Sequence, residues 1–446
     1  MRKLNLSVMA KTHLIERFLG KKVDADGTAA VLPSSRGASR SAVPDAFARF
    51  DRHPGYEKLL VPKAAADRLG LANPFFRIHE GVSGATTRIG GRDYVNFSSY
   101  NYLGLSGHPA INHAAKDAID RYGTSVSASR LVAGERPVQR ELEEALAELY
   151  EVEECIVFVS GHATNVSTIG YLFGPKDLVI HDSLIHNSVL EGIRLSGAAR
   201  RSFPHNDTAA LEDLLAEIRS QFERVLIVVE GHYSMEGDIP DLPALINIKR
   251  RHQAFLMVDE AHSLGALGKT GRGIHEHFGT KGRDVDIWMG TLSKTLAGCG
   301  GYIAGERALV EHLKYAAPGF VYSVGISPPL AAASLAALRI MQNESELVAR
   351  LRERARYFLE QARRAGINAG LSQGFAITPV IVSSSLKAVK LSNQLFERGI
   401  NVQPIIYPAV EEKAARLRFF VSCMHSEAQV RTSIETLADL LCAKQG

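Results

Sequence analysis

Lys294 lies among residues that can hold a phosphate group or form a covalent bond. It stands in GTLSKTLAGCGG, residues 290–301, directly after the short apolar run VDIWM. An amine in such a loop is an ordinary solvated side chain, a point charge for a phosphate, or a covalent anchor for a carbonyl compound. The residues predicted to lie near it decide among these three roles.

Several polar side chains follow the ends of apolar runs that predict buried strands. They are Gly161 and His162, His186, Ser234, Asp259 and His262, and Thr291 together with Lys294. Ligands of parallel sheets bind outside the carboxyl ends of the strands, so these side chains are expected to converge there. Taken singly each is weak evidence, because a lone histidine is usually structural and an aspartate can cap a helix. Their joint placement favours a site.

The sequence lacks several common motifs. GTLSKT has no second glycine in the position that a nucleotide P-loop needs, and no G-x-G-x-x-G or H-E-x-x-H pattern is found. No G-x-S-x-G elbow joins a predicted strand to a following helix. The set instead matches a cofactor with a phosphate, a ring nitrogen and an aldehyde. The helix start at Gly161 and the Thr291 hydroxyl would hold the phosphate, Asp259 would keep the ring nitrogen protonated, and Lys294 would bond the aldehyde. This description fits pyridoxal 5′-phosphate.

The elements that position these residues alternate between strand and helix from about residue 90. Apolar runs predict strands at 155–160, 177–182, 224–231, 254–261 and 286–290, with amphipathic helices between them. This cadence predicts an α/β fold with a mostly parallel sheet covered on both faces. After residues 327–329 the pattern predicts one long helix or two consecutive helices, followed by a smaller α+β C-terminal domain. We place the domains at 1–45 (arm and linker), 46–95 (N-terminal segment), 96–330 (large domain) and 331–446 (small domain).

Composition excludes some classes of function. The 446 residues contain 52 Lys and Arg against 48 Asp and Glu, an excess too small for a nucleic-acid-binding surface. The four cysteines are scattered without metal-ligand or disulfide spacing, which predicts no metal site and a cytoplasmic location. No run is long and apolar enough to span a bilayer, and no signal peptide is evident.

The N-terminal arm is basic. A short apolar stripe of Leu14, Ile15, Phe18 and Leu19 is accompanied by six Lys and Arg within residues 2–22 and one acidic residue. We favour a solvated arm that docks on the body of the protein or on a partner subunit. The alternative is a helix that contacts an acidic acyl-carrier protein or lies on a membrane surface.

Seven ordered motifs resemble the α-oxoamine synthase family of fold-type-I pyridoxal-phosphate enzymes over roughly residues 75–440. They are NFSSYNYLGLSGHP, FVSGHATN, HDSLIHNSVLEG, VEGHYSMEGDIPDLP, VDEAHSLGALGKTGRG, GTLSKTLAGCGGYIAG and RLRFFVSCMHS. The family includes serine palmitoyltransferase and 8-amino-7-oxononanoate synthase. The resemblance implies a seven-stranded, mostly parallel sheet in the large domain and pyridoxal 5′-phosphate as the cofactor.

The resemblance also assigns roles to residues. It implies that Lys294 is the Schiff-base lysine, that Asp259 faces the ring nitrogen, that His262 bonds the ring 3-hydroxyl, and that His186 stacks on the ring. The other implied contacts are Gly161, His162 and Thr291 to the phosphate, Ser234 near the 3-hydroxyl, Arg418 to the substrate carboxylate, Tyr100 and Asn101 to the substrate, and Ser323 to the phosphate of a neighbouring subunit. The YSVGISPP motif that carries Ser323 is one residue longer than in the family.

The implied reaction is a decarboxylative condensation. An α-amino acid would join an acyl thioester, carried by coenzyme A or an acyl-carrier protein, to give an α-amino ketone in a homodimeric enzyme. SYNYLG, residues 99–104, resembles the serine palmitoyltransferase branch, so we expect serine before alanine or glycine, and a role in sphingolipid or other lipid synthesis. Two alternatives stay open. One is another fold-type-I reaction, transamination or aldol cleavage. The other is a non-catalytic partner subunit, which Lys294 argues against.

Overall fold

The computed structural model describes residues 43–442. The predicted apolar stripe at Leu14–Leu19, and with it the proposed carrier-protein or membrane contact of the arm, lies outside these residues. Contacts along the chain divide it into two compact units at Asn73 and Pro74. In the first unit, two short 3₁₀ turns precede helix α1, Pro54–Arg68. The predicted boundaries at 45, 95 and 330 stay predictions.

The second unit contains all of the strands in the described chain. In chain order they are β1 (Thr86–Ile89), β2 (Arg92–Asn96), β3 (Glu154–Phe158), β4 (Leu178–Asp182), β5 (Ala199–Phe203), β6 (Val225–Glu230), β7 (Phe255–Asp259), β8 (Ile287–Thr291), β9 (Gly301–Gly305), β10 (Ile377–Ile381), β11 (Ile400–Asn401), β12 (Gln403–Ile405) and β13 (Arg416–Phe420).

Helices separate most of these strands. They are α2 (Pro109–Tyr122), α3 (Pro137–Tyr150), α4 (Gly161–Leu172), α5 (Asn187–Ser196), α6 (Thr208–Ile218), α7 (Leu242–His252), α8 (Ile274–Phe278), α9 (Arg307–Ala316), α10 (Pro318–Val321), α11 (Pro328–Asn343), α12 (Ser345–Arg364), α13 (Ser385–Glu397) and α14 (Glu427–Cys442). The segment after residue 327 therefore forms two consecutive helices, with the break at Glu344. Within residues 43–442, no helix has the length and apolar character needed to cross a membrane.

The large sheet has seven strands in the order β3-β9-β8-β7-β6-β4-β5. The four pairings from β8 to β5 are parallel, and β9 runs antiparallel to both of its neighbours. The predicted mostly parallel seven-stranded sheet is confirmed. All six residues of β6 are buried, and its five apolar residues, 225–229, alternate between the hydrophobic clusters on the two faces of the sheet. A strand covered on both faces must be continuously apolar, which is why the sequence predicted it.

The C-terminal part is built around a smaller antiparallel sheet of order β10-β13-β12. Its core joins residues of α12, α13 and α14 with Phe97 and Phe419. Strand β2, which crosses the predicted boundary at residue 95, pairs in parallel with β11 through Val95 and Ile400. The β1–β2 hairpin thus belongs to the same layer as C-terminal residues, a pairing between distant residues that no local pattern shows.

Candidate active site

A cavity of about 230 Å³ lies at the carboxyl ends of the large-sheet strands. Its lining includes seven of the sequence-predicted site residues: Gly161, His162, His186, Asp259, His262, Thr291 and Lys294. It also includes Ser160, Asn165, Ser188, Glu230, Ala261, Met289, Ser293, Cys299 and Gly300. The expected convergence of polar groups at strand ends is therefore observed.

Lys294 lies in the loop after β8, with its Nζ 5.5 Å from the centroid of the Tyr100 ring. Desolvation lowers the pKa of Lys294 to about 8, against the opposing effect of the Asp259 and Glu230 carboxyls. An amine with this pKa is partly unprotonated near neutral pH, and the unprotonated form is the nucleophile. The site thus favours covalent chemistry at Lys294 over a permanently charged phosphate contact.

Asp259, at the end of β7, is 4% exposed and held on both oxygens. The backbone N–H of Ala261 donates to its Oδ1 at 3.0 Å, and the amide of Asn165 donates to its Oδ2 at 3.0 Å. The same Asn165 nitrogen donates to Ser188 Oγ at 2.9 Å. Asn165 therefore fixes the carboxylate and also links it to the residue that orients His186.

His186 caps the N-terminus of α5 with its ring. Its Nδ1 accepts from the backbone N–H of Ser188 at 3.3 Å and lies 2.7 Å from Ser188 Oγ. Burial lowers the pKa of His186, so the ring is neutral at physiological pH. Because Nδ1 is an acceptor, we assign the ring proton to Nε2.

His262 is oriented by Tyr102, whose hydroxyl lies 2.7 Å from His262 Nδ1. Burial lowers the pKa of His262 well below its usual value and raises that of Tyr102 well above its own. Both groups are therefore neutral, and the tyrosine O–H is assigned as the donor to Nδ1. His262 is left with an Nε2–H donor for another partner.

The start of α4 forms another part of the cavity lining. Ser160 caps this helix by accepting from the Ala163 N–H, while the first N–H groups of the helix have no partner within it. A Cβ atom on Gly161 would lie 2.9 Å from Thr291 Oγ1, so only glycine brings α4 this close to β8. Helix N-termini of this kind bind phosphate groups.

The residues of the cavity fit pyridoxal 5′-phosphate. An anion cradle, a lysine of lowered pKa and a buried aspartate share one cavity, and two buried oxygens on its wall, Asn165 Oδ1 and Glu230 Oε1, have no hydrogen-bond partner among the described residues. A buried polar atom without a partner carries a desolvation penalty that a ligand can relieve.

Arg418 and Ser234 contact each other outside the lining of this cavity. Arg418, on β13, donates from Nη1 to the Ser234 carbonyl at 3.1 Å, and its guanidinium lies 4.6 Å from the Phe420 ring centroid. Its Nε is buried without a partner in the described chain. Burial lowers the pKa of Arg418, which stays charged because an arginine titrates far above neutrality. A free guanidinium N–H suits the predicted grip on a carboxylate.

Asn101 and Ser323 are predicted site residues that the structure does not bring to the cavity. The Asn101 side chain accepts from the Ser106 N–H at 3.0 Å and donates to the carbonyls of Ser83 and Ser106, so its own loop and the segment before β1 engage it. Ser323 follows α10 and borders a separate space of about 10 Å³ beside Arg130. Their proposed substrate and phosphate contacts stay predictions.

Four site residues had no predicted role: Asn165, Ser188, Glu230 and Tyr102. Asn165 and Tyr102 stand inside motifs that carried the family resemblance, and Glu230 closes the apolar run of β6. The signal for Glu230 was present, since a carboxyl at the end of a buried strand follows the same rule that selected Asp259.

Comparison with known proteins identifies the family of this chain. The family model of class I and II aminotransferases matches residues 92–437. An 8-amino-7-oxononanoate synthase of Thermoanaerobacter pseudethanolicus is 37% identical over 356 residues, which cover 80% of this chain and 90% of the relative. One from Symbiobacterium thermophilum is 41% identical over 350 residues, covering 78% and 89%. The chain belongs to the class I and II aminotransferase family and, within it, to the α-oxoamine synthases.

Solved structures agree with this membership. A serine palmitoyltransferase of Sphingomonas wittichii has a TM-score of 0.83 and 29% identity, over 87% of this chain and 98% of that one. An 8-amino-7-oxononanoate synthase of Francisella tularensis has a TM-score of 0.70 and 26% identity, over 79% and 99%. The predicted fold-type-I architecture and pyridoxal 5′-phosphate cofactor are confirmed. This α-oxoamine synthase is a pyridoxal-phosphate-dependent acyltransferase that condenses an amino acid with an acyl thioester and releases carbon dioxide.

Proposed function

We propose that Lys294 is the covalent anchor of the cofactor and the base that takes the Cα proton of the amino acid. The observation that carries this is the lowered pKa of an amine placed in one cavity with Asp259. A catalytic base is most effective when its pKa lies near the working pH. When bound, pyridoxal 5′-phosphate supplies an electron sink for the developing carbanion.

The neighbouring residues would hold and orient the cofactor and the amino acid. Asp259, with both oxygens engaged, presents a fixed negative charge that keeps the ring nitrogen protonated. His262 would offer its Nε2–H to the ring oxygen, and His186, whose ring caps α5, would cover the ring face. Arg418 binds the carboxylate of the amino acid, because its buried Nε–H has no other partner in the described chain.

The amino acid is small, and we propose L-alanine as the first choice. In 8-amino-7-oxononanoate the ketone is C7, the amine-bearing carbon is C8, and C9 is a methyl group. A decarboxylative condensation that joins C7 to C8 derives C8 and C9 from alanine. Curated relatives of that name are 37–41% identical to this chain, against 27–29% for the serine palmitoyltransferase structures.

L-Serine is the second candidate, and glycine the third. Serine is a candidate because Tyr100 and Asn101 in SYNYLG resemble the serine palmitoyltransferase branch. The Tyr100 ring faces the Lys294 amine and packs against Phe420, so it stands where a substrate side chain approaches. By the same comparison of identities, a role in sphingolipid synthesis is not favoured over the synthesis of an amino-oxo acid.

We also propose a homodimer and a carrier-bound or coenzyme A acyl thioester. Support for the dimer is that the Ser323 loop lies away from its own cavity, while Tyr322 and Val324 beside it are exposed. A second copy would cover this apolar surface. Cross-linking or sedimentation of the full-length chain checks the dimer, and an active monomer would contradict it.

The test of the function is an amino-acid panel with a saturating acyl thioester. We expect L-alanine to change the visible absorbance of the bound cofactor and to release free thiol and carbon dioxide in equal amounts, with L-serine weaker. Higher turnover with serine would reverse that order. Conversion of the amino acid to its keto acid without thiol release would favour transamination instead. No absorbance change with any amino acid would favour a non-catalytic subunit.

A further inference from the structure

Glu230 is a second buried carboxyl in the wall of the cavity, beside Asp259. The two residues end neighbouring parallel strands and are direct register partners across β6 and β7. Glu230 is 3% exposed and Asp259 is 4% exposed. Two carboxyls this close in a buried site do not both ionise readily, so one is expected to keep its proton.

The hydrogen bonds indicate which carboxyl is neutral. Both oxygens of Asp259 accept N–H bonds, which stabilise a carboxylate. Glu230 accepts a single one, from the Ser234 N–H to Oε2 at 3.0 Å. Its Oε1 is buried without a partner in the described chain, in a residue that lines the cavity. A proton on Oε1 would turn this unpaired acceptor into a donor.

The charges around Glu230 agree with a neutral acid. Burial raises its pKa to about 8, with Asp259 and Asp182 acting in the same direction. Lys294 and the Ser234 N–H act in the opposite direction, and Arg418 and Tyr233 also lie within electrostatic range. The two like charges and the burial outweigh the cations.

We propose that Glu230 is a positioning residue that enters the catalytic cycle as a neutral carboxylic acid and donates its Oε1–H to an acceptor atom of the bound cofactor. This inference rests on the proposed cofactor site for the identity of that acceptor. Loss of the proton would place a second negative charge beside Asp259 and remove the donor, so cofactor binding weakens as Glu230 ionises.

Glu260 provides a matched control within the same chain. It follows Asp259 directly, is fully buried, and burial raises its pKa to about 8 as well. Both of its oxygens have partners, however. Ser263 Oγ donates to Oε2 at 2.5 Å and the Ile274 N–H donates to Oε1 at 3.0 Å. Glu260 is absent from the cavity lining.

The test measures the dissociation constant of pyridoxal 5′-phosphate from pH 6.5 to 9.5 for the full-length wild type, Glu230→Gln, Glu230→Leu and Glu260→Gln. Glutamine keeps an acceptor for Ser234 and an N–H donor toward the cavity. At pH 7 we expect Glu230→Gln to bind within about threefold of wild type and Glu230→Leu to bind about tenfold more weakly, the loss of one hydrogen bond.

As pH rises through 8, affinity should fall in wild type and in Glu260→Gln, and fall less in Glu230→Gln. An isotope-edited infrared spectrum at pH 7 should show a carboxylic-acid band that Glu230→Gln lacks. Identical pH profiles for wild type and Glu230→Gln, or unchanged affinity in Glu230→Leu, would overturn the inference about Glu230 and leave the proposed function intact. Failure of wild type to bind the cofactor would overturn the proposed function as well.

Discussion

Two regions of this molecule bury ionisable side chains, and they differ in how completely those side chains are hydrogen-bonded. Around Arg130, every guanidinium nitrogen finds a carboxylate oxygen of Glu135 or Glu143, and Glu143 also accepts the Val157 N–H at 2.8 Å. In the cavity, Glu230 Oε1 has no partner in the described chain, and the nearby Arg418 Nε has none either. In the first region the charged groups pair with each other and stabilise the fold. In the second region, buried polar atoms stay available to bind a ligand.

The difference shows in the titration of the two regions. Glu135 and Glu143 hold Arg130 protonated, since their hydrogen bonds raise its pKa above the ordinary value despite burial. In the cavity, burial prevails and shifts the pKa of Lys294 and of Glu230 toward neutrality. Groups that titrate near neutral pH can exchange protons during a reaction, while a paired guanidinium cannot.

The largest effect is expected at Lys294. Lys294→Ala should lower turnover by about 10⁴-fold or more, because it removes the proposed covalent anchor and the proposed base. The melting temperature of the apoprotein should not fall, since burying the Lys294 amine costs desolvation free energy. Steady-state thiol release and calorimetry measure the two effects. Turnover at the wild-type rate would remove Lys294 from the mechanism.

Arg130→Ala should produce the opposite pattern. Removal of Arg130 leaves the buried Glu143 carboxylate with the longer ion pair to Lys314 Nζ, 3.6 Å from its Oε2, at a cost of up to about 3–5 kcal/mol in unfolding free energy. The cofactor affinity of the protein that remains folded should be close to that of wild type. Denaturant unfolding and cofactor titration report these two quantities. A loss of affinity without a loss of stability would erase the distinction between the regions.

Asp259→Asn should reduce turnover by about 10²–10³-fold, because a neutral amide no longer keeps the ring nitrogen protonated. The amide still has an oxygen for the Ala261 N–H, so the cofactor should stay bound. Turnover is measured in single-cycle reactions with saturating amino acid. Asn165→Ala, which removes one of the two donors to Asp259, should show a smaller loss in the same direction.

The smallest effect is expected for the pH dependence of stability at Glu230 and at its control, Glu260. The folded-state pKa of Glu230 and of Glu260 is raised from 4.5 to about 8, so the stability that each contributes is full below pH 4.5 and is lost as pH rises toward 8. Relative to wild type, the apoprotein of either glutamine variant should therefore gain stability with rising pH, by at most about 1.4 kcal/mol per pH unit.

Only Glu230→Gln should also change the pH dependence of cofactor affinity. Thermal unfolding between pH 5 and 8 measures the stability gain. A glutamine variant whose stability relative to wild type does not change with pH would show that the replaced carboxyl is already ionised in the folded protein.

Much of the fold followed from local patterns. Strands β4, β6 and β7 consist of apolar runs that end in polar residues, and those runs alone predict burial on both faces of the sheet. The sequence does not predict strand β5. It is the edge strand of the sheet, and its sequence ARRSF contains two exposed arginines and no apolar run. The short β11 forms by pairing with a hairpin some 300 residues earlier, which periodicity does not reveal.

The site was predicted to the level of residues and not to the level of atoms. Strand ends located Asp259, His262 and Lys294, because topology brings those ends together. The sequence could not show that the Asn101 amide is engaged within its own loop, or that one oxygen of Glu230 lacks a partner. Such features depend on side-chain geometry fixed by packing.

We propose above all that Lys294, whose pKa burial lowers to about 8, forms the covalent bond to the cofactor. The most direct measurement is borohydride reduction of the full-length protein loaded with pyridoxal 5′-phosphate, followed by peptide mass spectrometry. We predict a single reduced cofactor adduct on the peptide that contains GTLSK, at Lys294, and its loss in Lys294→Ala. An adduct confined to another lysine, or none in a protein that binds the cofactor, would contradict the account.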